Sequence, residues 1–241
     1  MATTFTYSRY DEWLRGSVSG TVDATYSASW AVDGRPSYPV RRTGSAGAWT
    51  ITGTAQDVGI LVVGHHLLDA ALSVAVSGDI TNTVVIPTYG ANGIPFNGYR
   101  LITTVPSVDE VTFTVTGNTG AAVIIGELVA GKARTLPGTL SKHTGFVRNN
   151  FRADRPLDKA WIPPYDRGMV AEQWTGTLLL TSAQRLELLA WEESQKSGTQ
   201  PSVIVINSLA LFGFVEVGQQ IPIGQLWKID MRFVELPRTR W

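Results

Sequence analysis

The chain has 241 residues, 44% of them hydrophobic and 17% charged, with twenty basic and twenty acidic side chains. That apolar content excludes an extended disordered chain, and the length allows one large β domain or two smaller ones. Balanced charge leaves no global field to draw the protein to nucleic acid, and the lack of cysteine excludes disulfide scaffolds, thiol nucleophiles and cysteine zinc sites.

The balance hides an asymmetry. Residues 1–130 carry six basic against ten acidic side chains, and residues 131–241 carry fourteen against ten. Opposite signs on successive segments favour attraction between domains or head-to-tail copies. The opening MATTFTYSRYDEW has neither the basic nor the apolar region of a secretory signal, and no apolar stretch approaches the ~20 residues of a membrane helix. Synthesis in the cytoplasm without membrane insertion is the expectation.

Between Trp49 and Ala130 the sequence alternates short β runs with turn residues. AWTITG, VGILVV, ALSVAVSG, NTVVIP, YRLITTV, EVTFTVTG and AAVIIGELV are separated by SGD, YGANG, FNG and TGNTG. Runs at roughly 8–12 residue spacing with no helical period between them predict an antiparallel sandwich. Val111, Phe113 and Val115 fall on one face of their strand and Thr112, Thr114 and Thr116 on the other. Trp49 and Ile51 likewise share an inward face.

Residues 131–145, GKARTLPGTLSKHTG, lose periodicity and are expected to be a linker. Beyond it QWTGTLLLTS reads as a strand, and Thr181 with Gln184 forms a capping box that opens a helix. Ala183, Leu186, Leu189 and Ala190 recur at helical spacing, and Gly198 is placed to end the helix. SVIVIN, LALFGFVEV and LWKIDMRFVEL are further strands. In the last, Trp227, Ile229, Met231 and Phe233 should be buried, leaving Lys228 and Arg232 on the outer face as interface candidates. The predicted class is mainly β: a sandwich over 1–130, then a second β domain with one helix over 146–241.

Catalytic signatures are lacking: there is no G-x-S-x-G elbow, H-E-x-x-H, phosphate loop or G-x-G-x-x-G turn. His65 and His66 interrupt an apolar run, but adjacent strand residues face opposite ways and cannot share a metal there. With only distant His143 to join them, the pair reads as a strand-end corner, one ring packed and one solvated. Asp154 and Asp158 lie among Arg152, Arg155 and Lys159, as in a surface loop of mixed charge. Asp33-Gly34 is a turn whose acid is a candidate calcium ligand, since calcium prefers oxygen donors. Trp30 and Tyr38 are candidate glycan-stacking residues, because aromatic faces pack against sugar C–H groups. No cofactor is expected.

YSASWAVDGRPSYPVRRTGSAGAWTITGTAQDVGILVVGHHL carries an A..DG.P turn, Trp49 and a strand ending in VVGHHL. It resembles the start of a galactose-binding-like, discoidin-type jelly roll. It is similar in particular to versions in tailed-bacteriophage virion proteins, where a GHNL-like turn follows that strand and an IGEL..G-like strand closes the module. Ile125 to Gly131 match that closing strand. The second half resembles phage tail and baseplate domains at Trp174, Leu186 to Trp191, Trp227, Phe233 and Glu235. The resemblance implies a non-enzymatic structural component of a virion, in the tail tip, baseplate or a collar-like attachment point. Its partners would be other virion proteins and copies of itself in a homo-oligomeric ring. The alternative is a lectin-like module that recognises host surface glycans.

Overall fold

A computed structural model describes residues 4–35, 39–77, 80–84, 96–138, 141–143, 171–195, 200–206, 208–236 and 238. Among them the protein is mainly β with one α-helix, and none of its helices is long and apolar enough to cross a membrane.

The first sheet is built on two long antiparallel strands, β4 (Gly47–His66) and β7 (Phe96–Val115). Its order is β2 (Gly16–Gly20), β4, β7, β5 (Leu72–Val76) and β6 (Ile80–Val84), with β9 (Glu127–Gly131) paired to the far half of β4. β3 (Val40–Thr43) and β8 (Ala122–Ile125) form a separate ribbon. AWTITG and VGILVV, two runs in the sequence, are one strand. Its register with β7 slips between Thr52 and Val58, where the two runs were read as separate strands. Trp49, Ile51, Val111, Phe113 and Val115 are fully buried in the jelly-roll core, on the face their alternation predicts.

The second sheet runs β10 (Arg134–Pro137), β1 (Thr4–Ser8), β13 (Ser202–Ile206), β14 (Leu209–Ile223), β15 (Leu226–Glu235), β12 (Gln173–Leu180) and β11 (Ser141–His143). This corrects the expected division of the chain. Residues 131–145 hold β10 and β11 rather than a linker, and the N-terminal strand belongs to the second sheet. β10 is short and polar and lies at the sheet edge, where only Leu136 is buried, so it shows no periodicity. Ile229, Met231 and Phe233 are buried as expected, with Trp227 packed beside them.

The helix α1 (Ser182–Ser194) starts at the predicted capping box: the Gln184 N–H donates to Thr181 Oγ1, and the Thr181 N–H donates to Gln184 Oε1 at 3.0 Å. Its buried face differs from the expected one. Leu188 and Trp191 are buried whereas Leu186 is 61% exposed. Trp191 stacks on Tyr7 of β1 with ring centroids 4.0 Å apart, a partner 184 positions away that helical spacing cannot reveal. Gly198 lies outside the described residues.

Between the two cores lies a third cluster, made of Tyr10, Trp13, Ile60, Val62, Val129, Val203, Val205, Ala210 and Phe212. It explains why VGILVV reads as a continuous apolar run. Leu61 and Val63 face the jelly-roll core, while Ile60 and Val62 face the second sheet. A strand buried on both faces shows no alternation. The Phe212 ring packs so closely on the β4 backbone that a Cβ at Gly64 would lie 2.3 Å from it. Asn97 fastens the seam, its Oδ1 accepting from the His65 N–H at 2.8 Å and its Nδ2 donating to the Ala210 carbonyl at 2.8 Å. Phe212→Ala should cost ~3–5 kcal/mol, the range for emptying a large core site. Urea unfolding monitored by tryptophan fluorescence measures that loss.

Candidate functional site

The candidate surface on the jelly roll is the segment entering the 3-10 turn Ala28–Val32. Asp23 anchors it. Its carboxylate accepts from the Thr43 N–H at 2.9 and 3.1 Å and from Thr43 Oγ1 at 2.9 Å, and these bonds hold its pKa below the usual carboxylate value. The Asp23 carbonyl then accepts from the Tyr26 N–H at 2.9 Å and the Ser27 carbonyl from the Trp30 N–H at 3.1 Å. Trp30 is half-buried, with one side packed on the jelly-roll core, and Tyr26 meets it edge-to-face at 5.9 Å. Ser27 and Ser29 join their hydroxyls at 2.7 Å alongside, and Arg41 lies 4.0 Å from Asp23. An apolar ring pair carried on the same segment as the Ser27 and Ser29 hydroxyls and the Asp23 carboxylate is suited to the two-sided polarity of a sugar. Tyr26 was not singled out in the sequence. A tyrosine four residues before Trp30 signals nothing until the turn brings the rings together. Tyr38, Asp154 and Asp158 lie outside the described residues.

The turn after Trp30 is held by a buried acid. Glu127 of β9 is fully buried and accepts the Gly34 N–H at 3.2 and 3.1 Å. Gly34 has φ +75°, and a Cβ there would lie 2.7 Å from the Tyr10 ring. Burial, reinforced by nearby Asp33, raises the Glu127 pKa well above the ordinary value. Asp33, the candidate calcium ligand, is half-buried, and its Oδ1 accepts the Arg35 N–H at 2.8 Å. Burial raises its pKa as well. Two carboxyls held toward their neutral forms, both already taking backbone N–H groups, fit a braced turn better than a calcium cradle.

Both histidines are fully buried, so the expectation of one solvated ring is corrected. The second sheet covers the corner that would otherwise face water. His65 takes φ +46° and sets its ring edge-on to Phe212 at 6.1 Å, and His66 Nδ1 accepts the Leu68 N–H at 3.1 Å. Burial lowers both pKa values to about 3, keeping the rings neutral. Glu235 closes the same end of the seam. Its burial raises its pKa to about 7 despite the Arg238 guanidinium 3.1 Å away.

Lys228 and Arg232 are exposed on the outer face of β15. Arg232 pairs with Glu216 across the strand, its Nε 2.6 Å from Oε2. Lys228 stands between Leu179 and Ile221, its cross-strand neighbours. Leu179, Ile221, Ile223 and Leu226 are 39–55% exposed, which gives the tip of this sheet an apolar surface.

No family model matches the chain, and no curated protein matches it. Solved structures do match over about half of it. The family 32 carbohydrate-binding module of Clostridium perfringens NanJ, solved with galactose, is 14% identical, covering 54% of this chain and 99% of its own, with a TM-score of 0.40. Chitosan-binding module 1 of a Paenibacillus sp. IK-5 chitosanase/glucanase is 16% identical, covering 49% and 96%, with a TM-score of 0.39. The family 32 module of AlyQ, solved with 4,5-unsaturated mannuronic acid, is 16% identical over 49% and 96%, with a TM-score of 0.38. At such identities and scores the likeness concerns fold alone.

The histidine shifts have a testable sign. A histidine whose folded pKa is lowered stabilises fully above its unfolded value near 6.5, and that contribution is lost as pH falls toward 3. Glu127 and Glu235 act oppositely, stabilising most below about 4.5 and losing that contribution as pH rises, for Glu235 toward 7. His66→Asn should therefore gain on the wild type by up to ~1.4 kcal/mol per pH unit below 6.5. Urea midpoints of both proteins at pH 7.5 and pH 5 check this.

Proposed function

We propose that the protein is a non-enzymatic carbohydrate-binding protein whose jelly roll meets its ligand at Tyr26 and Trp30. The observation that carries this reading is the half-buried aromatic pair on a turn fixed by Asp23 at one end and Glu127 at the other. A rigid aromatic surface loses little entropy on binding, and the polar groups beside it give direction to a sugar's hydroxyls.

A second reading is favoured by a different observation. The exposed Leu179, Ile221, Ile223 and Leu226 around Lys228 form the kind of apolar surface that marks a protein contact. It supports a protein contact only; that the contact is with other virion proteins or with copies of the protein itself rests on the sequence resemblance alone. The readings are compatible, with one sheet docking the protein and the jelly roll meeting a surface glycan.

One set of samples separates them. The wild type should bind members of a glycan array and Tyr26→Ala should not, with circular dichroism unchanged. Sedimentation velocity on the wild type and on Ile223→Glu tests the second reading, which expects an oligomer that the charge disrupts. A wild type that binds no glycan removes the first reading, and one that is monomeric alone and binds no virion protein removes the second.

A further inference from the structure

A cleft of about 320 Å³ opens where the 3-10 turn Tyr10–Glu12 faces the middle of β4, lined by Tyr10, Asp11, Trp13, Arg15, Thr54 and Gln56 among others. It shares no residue with the Tyr26–Trp30 surface. Its walls are fixed by backbone. A Cβ on Gly16 would lie 2.2 Å from the Thr52 carbonyl, and one on Gly53 would lie 2.4 Å from the Arg15 carbonyl, so the two walls meet at glycines. The Leu14 N–H donates to the Ala130 carbonyl at 2.7 Å and the Lys132 N–H to the Glu12 carbonyl at 3.2 Å, anchoring the turn to β9. On the other side, the slips in β4 pairing between Thr52 and Val58 leave Thr54 and Ala55 exposed at the rim.

The chemistry of the cleft is one-sided. The Arg15 guanidinium carbon sits over the Tyr10 ring, 3.7 Å from its centroid, on an exposed side chain that makes no ion pair among the described residues. Asp11 pairs with Arg9 at 2.5 Å rather than with Arg15, whose charge acts on the buried Glu127. Trp13 is 4% exposed, and its indole Nε1 has no acceptor among the described residues. The buried Gln56 Nε2 also has none. A buried donor without an acceptor is costly, and here two occur on residues that line the same cleft as Arg15. A ligand for this place must bring acceptors and negative charge, and it must be small.

We propose that the cleft is a binding site for a small carboxylate of about the size of a uronic acid, which Arg15 grips from its place on Tyr10. The planar guanidinium offers paired donors to a carboxylate, and the cation–π contact with Tyr10 holds it at the cleft. Gln56 and Trp13 then gain acceptors through small side-chain adjustments on ligand entry. Thr54 adds a hydroxyl at the rim. The inference stands apart from the carbohydrate reading above, since it concerns other residues and a charged group.

The test is a titration of the full-length 15N-labelled protein with glucuronate, with glucose as the neutral control. Glucuronate is expected to move the Trp13 indole, Gln56 side-chain and Arg15 Nε resonances, and glucose to leave them in place. Arg15→Gln should weaken binding about tenfold or more, the scale of losing a charge-assisted pair. Gln56→Leu should weaken it less, and it keeps the test open should the arginine variant fail to fold. Absence of shifts with glucuronate, equal shifts with glucose, or undiminished binding in a folded Arg15→Gln or Gln56→Leu protein would overturn the proposal. Loss of array binding in Tyr26→Ala bears on the other surface alone.

Discussion

The structure depends on one strand segment being buried on both faces. From Val58 to His66 every residue of β4 is buried, because the jelly-roll core takes one side and the second sheet the other. A fully buried aliphatic side chain contributes about 1.5–3 kcal/mol relative to exposure. The nine side chains of the shared cluster therefore dwarf what a flexible tether between two domains could supply. The absence of a side chain at Gly64 lets Phe212 close the gap. His65 follows at φ +46°, at a slip in the pairing with β7 between Val63 and His66, while the amide oxygen of Asn97 takes its N–H.

That seam sets the position of everything around it. Trp13 and Tyr10 belong to the shared cluster and hold the 3-10 turn that forms one wall of the Arg15 cleft. Tyr10 also donates its hydroxyl to the Asp33 carbonyl at 3.3 Å. The turn after Trp30 is thus tied both to the seam and, through Glu127, to β9. The Tyr26–Trp30 pair and the cleft are accordingly carried by turns tied to the same seam, and buried groups brace those turns. Glu127 and the histidines are costly to charge there, which fits a bracing role rather than proton transfer to a substrate.

Much of the fold was legible because alternation is a local signal. Trp49 and Ile51, Val111 to Val115, and Ile229 to Phe233 lie where period-two patterning puts them, and the Thr181–Gln184 box marks the helix start. What the sequence concealed was long-range. Thr4–Ser8 joins a sheet built mostly from residues beyond 130, through pairings to Val203–Val205 that no nearby residue encodes. The polar edge strand β10 had no pattern to read. The paired rings of Trp30 and Tyr26, and the stacking of Arg15 on Tyr10, depend on turns whose geometry emerges only with the fold. His65 and His66 looked half-solvated because the covering sheet comes from a hundred and more residues downstream.

Differential scanning calorimetry on the intact protein reports whether the jelly roll and the second sheet unfold as one unit. Two sheets fused by a dry seam should unfold together, in one transition whose calorimetric and van't Hoff enthalpies agree. Two separate transitions, or a calorimetric enthalpy well above the van't Hoff value, would contradict the account by showing that the jelly roll and the second sheet fold independently.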